Sequence, residues 1–265
     1  MKVLIVTMNL PPDKENINGG VSSAIYNLLP GYSKIQNLEL HILSFNQGIR
    51  NSLVKRFFNN ISVHFEPYKI FGNNKVDFVL KSGFLLRKYY CLLKPDIIHY
   101  QMHGLFLLMR MTLWKIRINE VVTIHGLTKR ESYYSRNHGV KIVKRLNEFV
   151  NLFILPPNAI FVSEFSRQEY RKYKFEKYSI IFNSVSEDFY KNEPKPLNNN
   201  VLMYMVYINP LKNLLLLLSA VRTLKLEKLD FKVLVIGEFS DSLYKNTVLN
   251  FINRNNLNDA VMFLG

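Results

Sequence analysis

The chain has 265 residues, of which 48% are apolar and 21% charged, and its net charge is +15 at pH 7. This length and composition allow a sizeable buried core, which excludes a disordered or low-complexity protein. The single cysteine, Cys91, excludes a disulfide framework, and no apolar run reaches the roughly 18 residues of a membrane-spanning helix. We therefore expect a globular protein of a reducing, cytoplasmic compartment.

Short β-branched runs alternate with segments of helical length, which is typical of a doubly wound α/β fold with parallel sheets. The segment 186–200, with two prolines and a run of asparagines, predicts a linker. We predict two domains, 1–192 and 193–265, of which the second holds only half of a normal doubly wound domain. The predicted strands are Val3–Thr7, Leu38–Ser44, Ile61–Glu66, Ile97–Tyr100, Val121–Ile124, Ala159–Val162, Ser179–Phe182, Val201–Val206, Lys232–Ile236 and Val261–Leu264.

Two adjacent glycines, Gly19 and Gly20, open the helical pattern that follows the first strand. A helix start carries unpaired N–H groups and a partial positive charge, which suits a phosphate that approaches the backbone closely. A turn that needs positive φ would select glycine equally well. The pair alone leaves both interpretations open.

The positive charge is concentrated in the first part of the chain, where residues 1–197 hold 28 Lys and Arg against 15 Asp and Glu. Within it, Arg50–Phe58 and Lys75–Lys94 mix basic residues with Phe, Leu and Tyr. This mixture suits helices that lie on an anionic lipid surface, and it also suits ordinary amphipathic helices packed on a sheet. Nucleic-acid binding would rest on net charge alone, so we expect no nucleic-acid partner.

Ligands of open α/β sheets bind beyond the carboxyl ends of the strands, so the residues that follow each strand are site candidates. His103 and His125 each come at a strand end directly before a glycine, which favours a role in a site. His99 lies inside a strand and is expected to be a structural histidine. In the second part, Lys212 and Glu238 follow successive strands, and Lys212 comes directly before a helix, where a cation needs an anion nearby.

Eight segments together carry a resemblance to a known family. They are, in chain order, GGVSSAIYNLL, KPDIIHYQMHG, VVTIHG, IFVSEFSR, IFNSVSEDFY, NPLKNLLLLLSAV, VLVIGEFSD and AVMFLG. The chain resembles the N-terminal two-thirds of a retaining glycosyltransferase of family 4. This resemblance implies the GT-B architecture, in which two Rossmann-like domains face each other across a cleft, with the second domain incomplete here.

The resemblance also implies the chemistry. A sugar would pass from a nucleotide-sugar to a glycan or lipid-linked acceptor with retention, and neither a metal ion nor a cofactor beyond the nucleotide-sugar would be needed. His125 would lie near the transferred sugar as the catalytic residue, and His103 would lie on the acceptor side. The implied donor-binding residues are Gly19, Gly20, Lys212, Glu238, Phe263 and Leu264.

The chain departs from the family pattern in two places. Tyr207 stands where the family has an arginine, and a neutral tyrosine cannot replace a guanidinium on a phosphate. The glutamate-containing region of the family would follow Gly265. We therefore expect weak activity from this chain, and its setting would be surface polysaccharide or glycolipid assembly in peripheral contact with an anionic membrane. The alternative is a non-catalytic binding module that serves as partner subunit of another transferase.

Overall fold

The computed structural model describes residues 1–17, 19–47, 49–68, 75–101, 104–126, 149–150, 153–191, 200–229 and 231–264, with the isolated positions 139, 142 and 146. Side chains of residues 75–79 and 104–106 lie outside this description. The chain folds as two compact α/β units, Met1–Tyr190 and Lys191–Gly265.

The first unit is built on an eight-stranded sheet with the order β3-β4-β2-β1-β5-β6-β7-β8. Every neighbouring pair is parallel except β3 and β4. The strands are β1 (Lys2–Met8), β2 (Glu39–Asn46), β3 (Leu53–Phe58), β4 (Ile61–Pro67), β5 (Ile97–Tyr100), β6 (Asn119–Ile124), β7 (Asn158–Phe161) and β8 (Lys177–Ile180).

Helical elements connect these strands, and hydrophobic cores lie on both faces of the sheet. In the central strand β1, Leu4 and Val6 pack into one core and Ile5 into the other, and all three are at most 2% exposed. The continuous apolar run of this strand thus reflects burial on both sides, as predicted. The helices whose bounds lie within the described residues are α1 (Gly20–Ser33), α2 (Lys75–Leu93), α3 (Glu164–Glu169) and α4 (Asp188–Lys191), with 3-10 turns at Lys14–Asn16 and Gly104–Leu113.

The interpretation of Arg50–Phe58 as a lipid-facing helix is wrong. Its residues Leu53–Phe58 form β3, an antiparallel edge strand on β4. Alternate side chains serve one face, since Lys55 pairs with Asp13 at 2.8 Å and the ring of Phe57 meets Tyr26 edge-on at 5.6 Å. Lys55 and Phe57 therefore share one face because the segment is a strand that completes the sheet, and residues two apart in a strand lie on the same side.

The second unit contains a parallel three-stranded sheet with the order β11-β10-β9. Apolar side chains from two helices and from this sheet form its core, including Leu218, Val248 and Val235. The side chain of Asp241 caps the second helix, since its carboxylate accepts a 2.7 Å hydrogen bond from the backbone N–H of Tyr244. The elements are β9 (Val201–Met205), a 3-10 turn (Pro210–Lys212), α5 (Leu214–Leu226), β10 (Lys232–Ile236), α6 (Ser242–Arg254) and β11 (Val261–Phe263).

Candidate functional site

The helix α1 begins at the two glycines, and the space in front of them is open. Gly19 is the N-cap residue with φ 110°, a conformation that residues with a Cβ rarely adopt. A Cβ added to Gly19 or to Gly20 would meet no atom within 4 Å, so internal packing does not require either glycine. The positive φ of Gly19 supports the interpretation as a turn, and the approach of a phosphate to the start of this 14-residue helix stays a prediction.

Buried hydrogen bonds hold the loop between β1 and α1 against β2. The backbone N–H of Leu10 donates to Ser44 Oγ at 3.1 Å, and Asn46 Nδ2 donates to the Leu10 carbonyl at 2.6 Å. From the helix side, Ser22 Oγ donates to the Asn9 carbonyl at 3.3 Å. The start of α1 is thus fixed relative to the carboxyl ends of the strands.

Four polar side chains form one hydrogen-bonded chain at the carboxyl ends of β5 and β6. His125 Nε2 lies 2.5 Å from Gln101 Oε1, and Gln101 Nε2 lies 3.1 Å from His99 Nε2. The same nitrogen of His99 lies 2.7 Å from Thr123 Oγ1. Gln101, His99 and Thr123 are buried and His125 is half-buried, so the chain leads from the protein interior to a partly open imidazole.

The hydrogen-bond donors and acceptors of these groups determine which histidine nitrogen atoms carry a proton. Gln101 Oε1 can only accept, so His125 Nε2 carries a proton and donates it. Gln101 Nε2 then donates to His99 Nε2, which must be the unprotonated nitrogen of a neutral ring, and the Thr123 hydroxyl donates to the same atom. Gln101 thereby sets the rotation of the His125 ring.

A small pocket lies over this chain. Its walls come from Ile25 and Leu28 of α1 and from Phe182 and Asn183, which follow β8. The segment after β8 is tied to the helix, since Ser184 Oγ donates to the Ala24 carbonyl at 3.1 Å and Asn27 Nδ2 donates to the Ser184 carbonyl at 3.2 Å. The pocket therefore combines a helix, strand ends and a loop held in place by hydrogen bonds, with mainly apolar walls around the polar chain.

We expect the buried His99 to make the first unit sensitive to mild acid. Burial lowers the pKa of His99 from 6.5 to about 4, with a smaller contribution from the charge of His125. The unfolded chain therefore binds more protons than the folded one between these values. The contribution of His99 to the free energy of unfolding is fully present above pH 6.5. It falls by about 3 kcal/mol as the pH drops to about 4.

Urea unfolding at a series of pH values measures this effect. Burial also lowers the pKa of His64 to about 4, so the wild type should lose stability through both groups. In His99→Gln the slope of stability against pH should be smaller than in the wild type while the His64 contribution stays. An identical slope in both proteins would contradict the assignment.

The second unit also brings polar residues to the carboxyl ends of its strands. Its two strand-end loops are joined by backbone hydrogen bonds, from Ile208 N to the Glu238 carbonyl and from Ser240 N to the Ile208 carbonyl, each 2.8 Å long. The Lys212 turn is held in place as well, because its N–H donates to Asn209 Oδ1 at 3.1 Å and its carbonyl accepts from Tyr204 Oη at 2.7 Å. The loops that carry Lys212 and Glu238 thus lie side by side.

Gly237 makes this arrangement of loops possible. Its φ is 129°, and a Cβ in this position would lie 1.9 Å from the carbonyl oxygen of Val206. At the third strand, Phe263 is half-buried with its ring 5.7 Å from that of Phe239, and Leu264 is 52% exposed. Tyr207 is 57% exposed in the loop that leads to Lys212.

In each unit, the predicted site residues that the structure describes therefore follow or end the strands of its sheet. Gly19, Gly20 and His125 follow strands of the first unit, and His103 lies outside the described residues. Lys212, Glu238, Phe263 and Leu264 follow or end the three strands of the second. Within the described ranges, no three His, Cys, Asp or Glu side chains are grouped so that they could hold a metal ion, and no helix is both long and apolar enough to cross a membrane.

Sequence reasoning missed Gln101 and Thr123, which complete the hydrogen-bonded chain. Gln101 directly follows one predicted strand and Thr123 is the next-to-last residue of another, and each lies two residues from a histidine, Gln101 after His99 and Thr123 before His125. A search for polar residues on the same strand face as each histidine would have found both.

Comparison with known proteins gives one family and a consistent fold. The model of Glycosyltransferase Family 4 matches residues 18–189. Among curated proteins, no sequence matches the chain. Among solved structures, the sucrose-phosphate synthase from Thermosynechococcus elongatus has a TM-score of 0.71 at 13% identity, with 100% of this chain and 70% of that chain covered.

Two further solved structures are similar over the whole chain. A glycosyltransferase from Rickettsia africae has a TM-score of 0.64 at 17% identity and is covered over 68% of its length. HepE from Anabaena, solved in complex with UDP and glucose, has a TM-score of 0.64 at 16% identity and is covered over 69%. In each case 100% of this chain is covered. At these identities the similarity shows the fold, and the predicted α/β fold of GT-B glycosyltransferases is confirmed.

Proposed function

Because the chain belongs to Glycosyltransferase Family 4, we propose that it transfers a sugar from a nucleotide-sugar to a glycan or lipid-linked acceptor with retention at the anomeric carbon. The observation that carries the proposal is the hydrogen-bonded chain that ends at His125, under a pocket lined by Ala24 and Ile25 of α1. An oriented imidazole is a group that can position a sugar, and a helix start suits an anionic donor.

We assign the roles as follows. The start of α1 at Gly19 and Gly20 approaches the donor phosphates, and His125 contacts the transferred sugar. Lys212 and Glu238 serve the donor from the second unit, Phe263 and Leu264 contact its base, and His103 serves the acceptor. HepE, whose structures contain UDP and UDP-glucose, supports a nucleotide-sugar as the donor class.

The chemistry explains why cations and N–H groups belong here. When the bond between the sugar and the diphosphate breaks, its electron pair stays on the phosphate oxygen, which gains negative charge. We assign the stabilisation of this charge to Lys212 in the second unit and to the N–H groups of α1 in the first, and hydrogen bonds hold the Lys212 turn and the β1–α1 loop each within its own unit. As the acceptor oxygen bonds to the anomeric carbon, its proton passes to the departing diphosphate oxygen, which carries it away.

One observation favours a second candidate, a non-catalytic binding module. Tyr207 is neutral and exposed in the loop before Lys212, where the family pattern has an arginine. A module of this kind would bind a nucleotide-sugar or an acceptor and assist another transferase. Turnover with a panel of nucleotide-sugars distinguishes the two, because only the transferase consumes the donor.

We expect Lys212→Gln to weaken donor binding. One charge-assisted hydrogen bond to a phosphate contributes about 1.5–3 kcal/mol, which corresponds to a loss of at least about tenfold in affinity. Calorimetry with UDP, GDP and ADP measures the change. The matched control is Lys232→Gln, at the amino end of β10, which should bind as the wild type does.

Tyr207→Arg should strengthen binding by a comparable factor, since it restores a second cation for the diphosphate. If the wild type binds no nucleoside diphosphate, or if Lys212→Gln binds like its control, the assignment of Lys212 fails. Binding without turnover would favour the second candidate.

A further inference from the structure

The outer side of α2 and the 3-10 helix Gly104–Leu113 form an exposed surface that is both apolar and basic. The side chains of Phe84 and Trp114 are 71% and 73% exposed, and Met111 is 46% exposed. These three residues line one groove together with Arg87 and Lys115. Large exposed apolar groups that form one patch indicate an interaction site.

The helix period of α2 explains the two kinds of surface. Leu86 and Tyr89 are buried in the core of the first unit. On the other side, Leu80 and Phe84 are one turn apart and Arg87 follows one turn later, all exposed. The core therefore does not account for the apolar residues of this outer face.

The two elements are packed rigidly against each other. Thr112 Oγ1 donates to the Gly83 carbonyl at 3.0 Å, and a Cβ at Gly83 would lie 2.6 Å from Thr112 Cγ2. The 3-10 helix is in turn fixed to the sheet, because Arg110 pairs with the buried Glu120 at 2.6 Å. The surface thus keeps its shape without a partner.

The charge of this region identifies the partner. Between residues 80 and 118 the sequence has seven Lys and Arg, of which Arg110 is paired with Glu120, and a single acidic residue, Asp96. Asp96 accepts a hydrogen bond from the backbone of Lys2 at 2.6 Å, at the amino ends of the strands. An anionic lipid surface offers both the negative charge and the apolar depth that such a patch needs, and tryptophan favours the boundary between the two.

We propose that this patch, made of Phe84, Arg87, Lys88, Met111, Trp114 and Lys115, docks the protein on an anionic lipid bilayer. The aromatic and Met side chains enter the interface while the basic side chains contact the headgroups. The proposal depends on the proposed function only in the choice of a bilayer, the surface on which a lipid-linked acceptor would lie.

Trp114 is the only tryptophan of the chain, so its fluorescence reports on this patch alone. The full chain is titrated with vesicles of phosphatidylcholine containing phosphatidylglycerol and with vesicles of phosphatidylcholine only. We expect binding to the anionic vesicles, weakened by salt, with a blue shift of the emission and quenching by brominated lipids.

The variant Arg87→Gln/Lys115→Gln should lose about 25-fold in affinity for the anionic vesicles, about fivefold per charge. Phe84→Gln should lose about tenfold, since an aromatic side chain no longer enters the interface. The control pair Arg222→Gln/Lys172→Gln removes the same types of residue from exposed positions elsewhere and should bind as the wild type does. Circular dichroism checks that each variant is folded.

Several results would overturn the proposal. They are equal binding to neutral vesicles, binding without a change in the emission of Trp114, an equal loss in the control pair, and an emission shift that follows protein concentration in the absence of lipid. Vesicle binding needs neither donor nor acceptor. A failure here therefore leaves the sugar-transfer proposal untouched, and a failure of turnover leaves the vesicle result untouched.

Discussion

Alanine in place of His125 should lower any sugar transfer by about 10²–10³-fold while the fold stays intact, which is the usual cost of losing one well-placed donor in a site. The imidazole is half-buried at the end of β6, and its Nε2 is hydrogen-bonded to Gln101 at 2.5 Å. Its loss removes a polar group from the pocket without opening the core. Turnover of the donor under saturating conditions measures the effect, and circular dichroism and urea unfolding test the fold.

Two further variants make this test specific. Gln101→Leu should lower kcat with little change in KM, because the ring of His125 stays present but loses the bond that sets its rotation. His41→Ala removes a histidine from the same sheet, in β2, and should leave turnover unchanged. If His125→Ala keeps wild-type turnover, His125 is structural and the pocket is not the sugar site.

Gly237→Ala should destabilise the second unit by more than about 4 kcal/mol, which is exceptional for a single methyl group. The added Cβ would lie 1.9 Å from the Val206 carbonyl oxygen and 2.9 Å from the Val206 carbonyl carbon, both of them backbone atoms. The φ of 129° is unfavourable for alanine as well. Relief requires the loop to move, and that would break the hydrogen bonds that join Ile208 to Glu238 and Ser240.

Hydrogen exchange of the second unit, followed separately from the first, measures this loss. The control is Gly31→Ala in α1, where a Cβ meets nothing within 4 Å and the backbone is helical. That variant should be neutral or more stable by up to about 1 kcal/mol. Normal protection of β10 in Gly237→Ala would show that the loop can accept a side chain there.

The sequence was sufficient to predict the strands that have an apolar run and a parallel neighbour. Val3–Thr7 and Lys232–Ile236 were predicted within one residue of β1 and β10, because burial on both faces leaves a continuous apolar pattern. The structure places β8 at Lys177–Ile180, two residues before the predicted Ser179–Phe182. All four residues of this edge strand are exposed, so its pattern carries little information about burial.

Other features depend on contacts between residues distant in the sequence. The strand β3 was missed because its six residues pair antiparallel with β4, and short mixed segments do not distinguish strand from helix. Gln101 and Thr123 can join the hydrogen-bonded chain only because β5 and β6 pair and bring His99 and His125 together. Gly237 looks like any glycine at a strand end until the position of the Val206 carbonyl is known.

The strand order of the first sheet affects how the nascent chain can fold during synthesis. The strand β1 is made first, yet it lies in the middle of the sheet, with β2 on one side and β5 on the other. β2, β3 and β4 are complete at Pro67, whereas β5 begins only at Ile97, thirty residues later. At about 5–20 residues per second, the ribosome needs about 1.5–6 s for this interval. During that time one side of an apolar strand has no partner, so this is the moment at which a chaperone, or another nascent chain, has access to the sheet.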